Sequence, residues 1–284
     1  MTSQLERLRT RVEMLGAPLC LGIDPHPDRL PDGLTPDVRG VETMARGLIE
    51  AVADSVVAVK INVAFFEAFG AAGWAALERV RADIPSELIC ILDAKRGDIG
   101  STAERYAIGL FGHLDADAVT LSPYLGEDAI EPFLAYPDRM VYVLARTSNP
   151  SAARVQELTA DGDPVHLQVA RWVAERWPGG RVGLVVGATA PAELRTLREA
   201  CPGPGFLVPG VGVQGGDLDA SVRACHGAWA LGVVSVSRGI AEASGGDDWM
   251  TAAAEAAAAL RAQMVNAVLH STTSAVQAAS NGGA

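Results

Sequence analysis

Eight short apolar runs, recurring between longer stretches with helical spacing, constrain this chain more than any other feature. The runs are APLCLGID, VVAVKIN, ELICILDAK, DAVTLSP, MVYVLART, RVGLVVGA, GFLVPGV and WALGVVSVS. Between or after them lie VETMARGLIEAVAD, AAGWAALERVRAD, STAERYAIGLFGHL, VHLQVARWVAERW, PAELRTLREA and DWMTAAAEAAAALRAQMV. A strand that is to pair in parallel with its successor must cross back over the sheet, and a right-handed helical crossover does this. Strands alternating with helices therefore imply a parallel sheet, and eight such units close into a (β/α)8 barrel. Barrels of this kind run to about 250 residues, so the 284 residues fit one domain with little left over. An open doubly wound sheet is the architectural alternative. The catalytic domain is expected over residues 1–265. The remainder, 266–284, belongs to a low-complexity tail ending HSTTSAVQAASNGGA, which has almost no charge and few large apolar side chains and is expected to be a frayed extension.

Composition narrows the class. A hydrophobic fraction of 49% supports a substantial core, yet no apolar stretch approaches the ~20 residues needed to cross a bilayer. The opening MTSQLERLRTRVEML mixes charges through an amphipathic pattern and lacks the apolar centre of a secretory signal, so a cytoplasmic protein is expected. A net charge of −11 opposes nucleic acid or an anionic membrane as partner, because either would be repelled by the average field. Cys20, Cys90, Cys201 and Cys225 form no CxxC pair and read as buried free thiols. The five histidines show no HxxxH or HxH spacing, and no metal site is read from them. The five tryptophans sit mostly in helix-like segments and read as packing residues.

Several strands end in polar or charged residues: Asp24, Lys60, Asp93 with Lys95, Ser122, and Arg146 followed by Thr147 and Ser148. In a barrel the C-terminal strand ends build the working face, which gives these residues one shared address. The most informative segment is Asp93-Ala94-Lys95-Arg96-Gly97-Asp98-Ile99-Gly100-Ser101-Thr102. Asp93 and Lys95 are two apart, so while the strand lasts they leave the same face, and Asp98 follows at the start of the next helix. Two carboxylates can then flank one ammonium. A solvated salt-bridge loop is the plainer reading of that spacing by itself, but Lys60 supplies a second cation where a buried strand would not ordinarily want one. Late in the chain, PGVGVQGGD lets backbone approach a ligand closely, and Arg238 in VSVSRGI can grip two phosphate oxygens. A plain glycine turn is the alternative.

Taken together, DAKRGDIGST resembles the catalytic segment of the orotidine 5′-phosphate decarboxylase family, Asp-x-Lys-x-x-Asp-Ile-x-x-Thr. GIDP and VKIN are similar to the family's first two strand ends, and AFFEAFG is similar to its longer bacterial form. RTSNPSA, PGVGVQGGD and VSVSRGI resemble its loops after strands five, seven and eight. The matches run in the family's order from about Leu21 to Ile240.

The resemblance implies a barrel of the ribulose-phosphate-binding type that decarboxylates orotidine 5′-monophosphate to UMP, the last step of de novo pyrimidine nucleotide synthesis, with no metal and no cofactor. It implies Lys95 as proton donor in an array with Lys60, Asp93 and Asp98. Asp24, Lys60 and Thr102 would contact the ribose, Ser148 the pyrimidine, and Gln214 and Arg238 the phosphate. A homodimer sharing its sites is implied, with Asp98 and Thr102 reaching into the partner's site. Two departures stand out: Ser237 where the family often has glycine, and Asn62 where shorter relatives have it. One alternative is a magnesium-dependent sugar-phosphate decarboxylase or aldolase of the same barrel superfamily, which needs an acidic metal ligand near the second strand end; Glu67 is the nearest candidate. A non-catalytic nucleotide-binding barrel is another.

Overall fold

The computed structural model describes residues 3–281, apart from 190, 213, 214 and 229, with side chains as far as 269. All eight apolar runs are strands: β1 (Leu19–Ile23), β2 (Ala58–Asn62), β3 (Ile89–Arg96), β4 (Ala118–Leu121), β5 (Met140–Arg146), β6 (Val182–Val186), β7 (Phe206–Pro209) and β8 (Val233–Val236). Each is parallel to its neighbours in chain order, and β8 returns to β1 through Leu19↔Val234, Cys20↔Ser235 and Leu21↔Val236. The sheet is therefore a closed barrel and not the open alternative.

Strand alternation sorts every side chain into one of two cores. On β2, Val59 and Ile61 face the surrounding helices, whereas Ala58 belongs to the cluster inside the barrel. On β3, Cys90 and Leu92 face outward and Ile89 and Ile91 inward. The inward set continues upward as Lys60, Asp93 and Thr120, so the same period of two that fills the barrel with apolar groups delivers polar ones at its C-terminal end.

The amphipathic N-terminal stretch is a helix, Gln4–Leu15, opened by a capping box in which Ser3 and Glu6 bond each other's backbone N–H. Its buried Leu8 and Val12 join the interior cluster. Arg7 donates to Asp117 at 2.8 Å and to Leu88 O at 3.0 Å, and Arg11 to Val56 O at 3.3 Å. These contacts lie at strand starts, so the helix packs over the lower end of the barrel, opposite the working face. The helix expected around residues 191–200 is present as Pro191–Ala200, and a further one, Leu218–Cys225, fills the crossover from β7 to β8. The last helix is continuous over Trp249–Asn281. Met264 and Ala267 on it are buried, so helical backbone runs on beyond residue 265. All four cysteines are buried and unpaired. Among the described residues, no helix is long and apolar enough to cross a membrane.

Arg198 ties the last third of this arrangement together. Its guanidinium lies 3.7 Å from the centroid of the Phe206 ring. It donates to Ala224 O at 2.8 Å, to Cys201 O at 3.0 Å and to Pro204 O at 2.9 Å. A planar fork satisfies several carbonyls at once, which a lysine ammonium on a flexible stem does not. Replacing Arg198 with Met should therefore cost about 2–4 kcal/mol, because buried carbonyls lose their donors. Arg198→Lys should recover less than half of that loss, as read from chemical denaturation midpoints.

Candidate active site

The cavity at the C-terminal ends of the strands encloses about 720 Å3 and is lined by Asp24, Lys60, Asp93, Lys95, Ser148 and Arg238 among others. Six of the nine residues singled out in the sequence thus meet around one space. Thr102 and Asp98 do not line it within this chain: Thr102 is exposed on the helix Gly100–Ala107, and Asp98 accepts from Ile99 N at 2.9 Å. Gln214 lies outside the described residues. Two of the strand-end residues, Ser122 and Arg146, are not among those that line the cavity. Ser122 N–H donates to Arg96 O at 2.8 Å, which extends the β3–β4 pairing, and Arg146 forms an ion pair with Glu157 at 2.7 Å.

Lys60 is buried beneath the other charges of the array, with its side chain 5% exposed against 12% for Asp93, 26% for Asp24 and 49% for Lys95. Its Nζ donates to Asp93 Oδ2 at 3.2 Å and lies 3.7 Å from Asp24 Oδ1. Burial disfavours the ammonium, but the two carboxylates outweigh it, and Lys60 holds its proton above the usual lysine range. Asp24 is fixed from the other side by the Ser237 hydroxyl, which donates to Oδ2 at 2.5 Å. The chain departs from glycine at Ser237, and β1 makes room for it: a Cβ on Gly22 would stand 2.0 Å from Ser237 Oγ. Despite its burial, Lys60, the Ser237 hydroxyl and Asn62, the second departure, hold the Asp24 carboxyl below the ordinary value.

Asp93 is the junction. Its Oδ1 accepts from Lys95 Nζ at 2.6 Å and from the Thr120 hydroxyl at 2.8 Å, while Oδ2 takes Lys60. Burial works against ionisation, yet Lys60 and then Lys95 outweigh it, and the carboxyl is held at about 2. Lys95, at the mouth, has a side chain 49% exposed and a backbone φ of +47°. Such left-handed geometry in a non-glycine residue costs of order 1–3 kcal/mol and concentrates at functional sites. Lys95 therefore reaches the site from a bulge in β3 and not by the simple two-residue alternation that the sequence suggests.

Two further features were not legible in the motifs. Thr120 is a lone hydroxyl in an otherwise apolar strand, and that polarity was its only signal. The loop after β5 is closed on itself: Gln156 Oε1 accepts from Thr147 N at 2.9 Å, and a two-residue antiparallel ribbon joins Thr159–Ala160 to Asp163–Pro164. The glycine-rich loop after β7 has Gly210 at φ +98° and Gly212 at φ +86°, backbone that side chains rarely adopt, and Gly210 lines the cavity beside Arg238.

A closed barrel whose C-terminal mouth carries a lysine–aspartate–lysine array over a deep cavity is the architecture of a barrel enzyme, with the working groups on the face where such folds keep them. The chain belongs to the Orotidine 5'-phosphate decarboxylase / HUMPS family, whose profile matches residues 17–248. It is 52% identical over 258 residues to an orotidine 5'-phosphate decarboxylase of Roseiflexus castenholzii, spanning 88% of this chain and 93% of that one. Among solved structures, the OMP decarboxylase of Leishmania donovani is similar at 39% identity and a TM-score of 0.77, over 92% of this chain and 99% of that one. The UMP synthase of Leishmania donovani aligns at 40% identity and a TM-score of 0.81, with 93% of this chain matching 57% of that one.

The depressed acidity of Asp93 generates a pH test. Its folded carboxyl titrates near 2, below the unfolded value of about 3.9. The stability it contributes is therefore complete above the unfolded value and fades as pH falls toward the folded one. The melting-temperature gap between the protein and its Asp93→Asn variant should be widest above about pH 5 and shrink as pH is lowered toward 3. A gap that widens on acidification contradicts the assignment.

Proposed function

We propose that this chain decarboxylates orotidine 5′-monophosphate to UMP and CO2, acting as a carboxy-lyase in the last step of de novo pyrimidine nucleotide synthesis. The observation that carries the reading is the Lys60–Asp93–Lys95 array at the barrel mouth, in a chain of this family. Loss of CO2 from C6 leaves an electron pair in an sp2 orbital orthogonal to the ring π-system, so no resonance sink accepts it. A fixed ammonium is what such a reaction needs, first opposite the developing charge and then as proton source. Lys95 is that group. Asp93 holds its Nζ at 2.6 Å and is itself held by Lys60, so the donor is in place before substrate enters. Prior fixing of this kind avoids reorganisation during the reaction.

Asp24 and Lys60 are proposed to take the ribose hydroxyls, Ser148 the pyrimidine, and Arg238 with Gln214 and the glycine-rich loop the phosphate. Neither a metal nor a cofactor is assigned a step, and the proposed compartment is the cytoplasm. The metal-dependent alternative is disfavoured by Glu67, its candidate ligand, which is engaged by the Arg96 guanidinium in an ion pair. An intact charged array likewise favours a catalyst over a purely nucleotide-binding barrel.

The assay is loss of orotidine 5′-phosphate absorbance by purified protein after exhaustive EDTA treatment. Turnover should persist, and Lys95→Ala should lower it at least ~10²-fold, as removal of a positioned acid does. A variant retaining more than about one-hundredth of the activity contradicts the role of Lys95.

A shared-site homodimer is also proposed. Within its own chain Asp98 makes no ion pair with Lys95 among the described residues, and Ile99, Tyr106 and Ile108 in the same segment are exposed. Exposed apolar side chains beside site residues that do not line their own chain's cavity suit an isologous interface. Lys95→Ala and Asp98→Ala, each nearly inactive alone, should complement when subunits exchange. One site of the heterodimer then has wild-type Lys95 and the partner's Asp98, and about a quarter of all sites recover under random exchange. Inactivity despite demonstrated exchange rules out the shared site.

A further inference from the structure

The array is fastened to the neighbouring strand by a side chain that no motif marks. Along β3 and β4 the ladder registers Leu92 with Val119 and next Arg96 with Leu121, so Asp93, Ala94 and Lys95 stand opposite Thr120 alone. A bulge of that size takes backbone groups out of the ladder. It is here that Lys95 adopts its left-handed φ of +47°, a conformation that persists only where the surroundings over-determine it.

Thr120 is 1% exposed and supplies that determination. Lys95 N–H donates to Thr120 Oγ1 at 3.0 Å, the Thr120 hydroxyl donates to Asp93 Oδ1 at 2.8 Å, and Lys95 Nζ donates to the same Oδ1 at 2.6 Å. The three bonds close a ring through one residue, Lys95, gripped at its backbone and at its side-chain tip. We propose that Thr120 is the positioning residue of Lys95, its single hydroxyl fixing both the strained backbone from which the lysine springs and the carboxylate that aims its ammonium. The proposal rests on the reading of Lys95 as proton donor.

The hydroxyl is used as acceptor and donor at once, so chemistry and shape separate cleanly by mutation. Thr120→Val keeps the volume and loses both bonds; Thr120→Ser keeps both bonds and loses a methyl group. Displacing a reacting group by a fraction of an ångström acts on the chemical step and leaves ground-state binding largely untouched.

The experiment measures kcat and KM for orotidine 5′-phosphate, and Kd for UMP by calorimetry, in the wild type, Thr120→Val, Thr120→Ser and Lys95→Ala. Thr120→Val should lower kcat about ten- to a hundredfold, the scale of a lost hydrogen bond to a charged group. Its UMP affinity should stay within about threefold, and Thr120→Ser should keep kcat within about threefold of wild type. If Thr120→Val does not fold, Thr120→Ala replaces it under the same criteria. A valine variant within about threefold of wild-type kcat, a serine variant as impaired as valine, or a matching loss of UMP affinity each overturns the proposal. A wild type without decarboxylase activity, or a fully active Lys95→Ala, overturns the reading of the site and this proposal with it. A dead Lys95→Ala beside a fully active Thr120→Val overturns the positioning role alone.

Discussion

An ammonium inside a parallel barrel needs carboxylates within reach, and the position of Lys60 dictates much of what surrounds it. Strand alternation sends its side chain inward on β2, to a place where the side chain is 5% exposed. Isolated there, it would lose its proton or unfold the barrel mouth. Asp24 and Asp93, from the strands on either side, compensate it, and each carboxylate is in turn fixed by a hydroxyl, Ser237 at one end and Thr120 at the other. Gly22 follows from the same constraint, since a side chain there would displace Ser237. Removing one member of such a set leaves an unpaired buried charge, which makes the array an all-or-none structure.

Lys95 stands at the opposite extreme of the same network. It is half exposed, and its position comes from a bulge and a left-handed backbone and not from burial. The two lysines therefore divide the electrostatic labour. Lys60, deep and surrounded, holds Asp93 ionised down to about 2. Asp93, kept anionic, then anchors an ammonium that remains open to the cavity, where a substrate can meet it.

The fold was largely legible because a closed parallel barrel repeats one local instruction eight times. All eight apolar runs became strands, and the N-terminal amphipathic pattern became a helix whose Leu8 and Val12 join the barrel interior. The site was legible where chemistry sat in a contiguous motif: Asp24, Lys60, Asp93, Lys95, Ser148 and Arg238 line one cavity. Thr120 was missed because its significance depends on the register between two strands, and Ser122, at the very end of the β4 run, looked the better strand-end residue from sequence alone. Arg146 was read as a member of the mouth, but Glu157, brought near by the fold of the loop after β5, draws it aside.

The sequence by itself determined the class of fold and the identity of the charged groups, because alternation of apolar period and the order of motifs are properties of the chain read locally. Tertiary structure decided which of those groups touch. The bulge that turns Lys95 to φ +47°, the hydroxyls that fasten Asp24 and Asp93, and the diversion of Arg146 all arise from contacts between segments 10 or more residues apart. Such contacts are set by how eight strands stagger as the barrel closes, and a stagger of one residue reverses the face that every side chain presents.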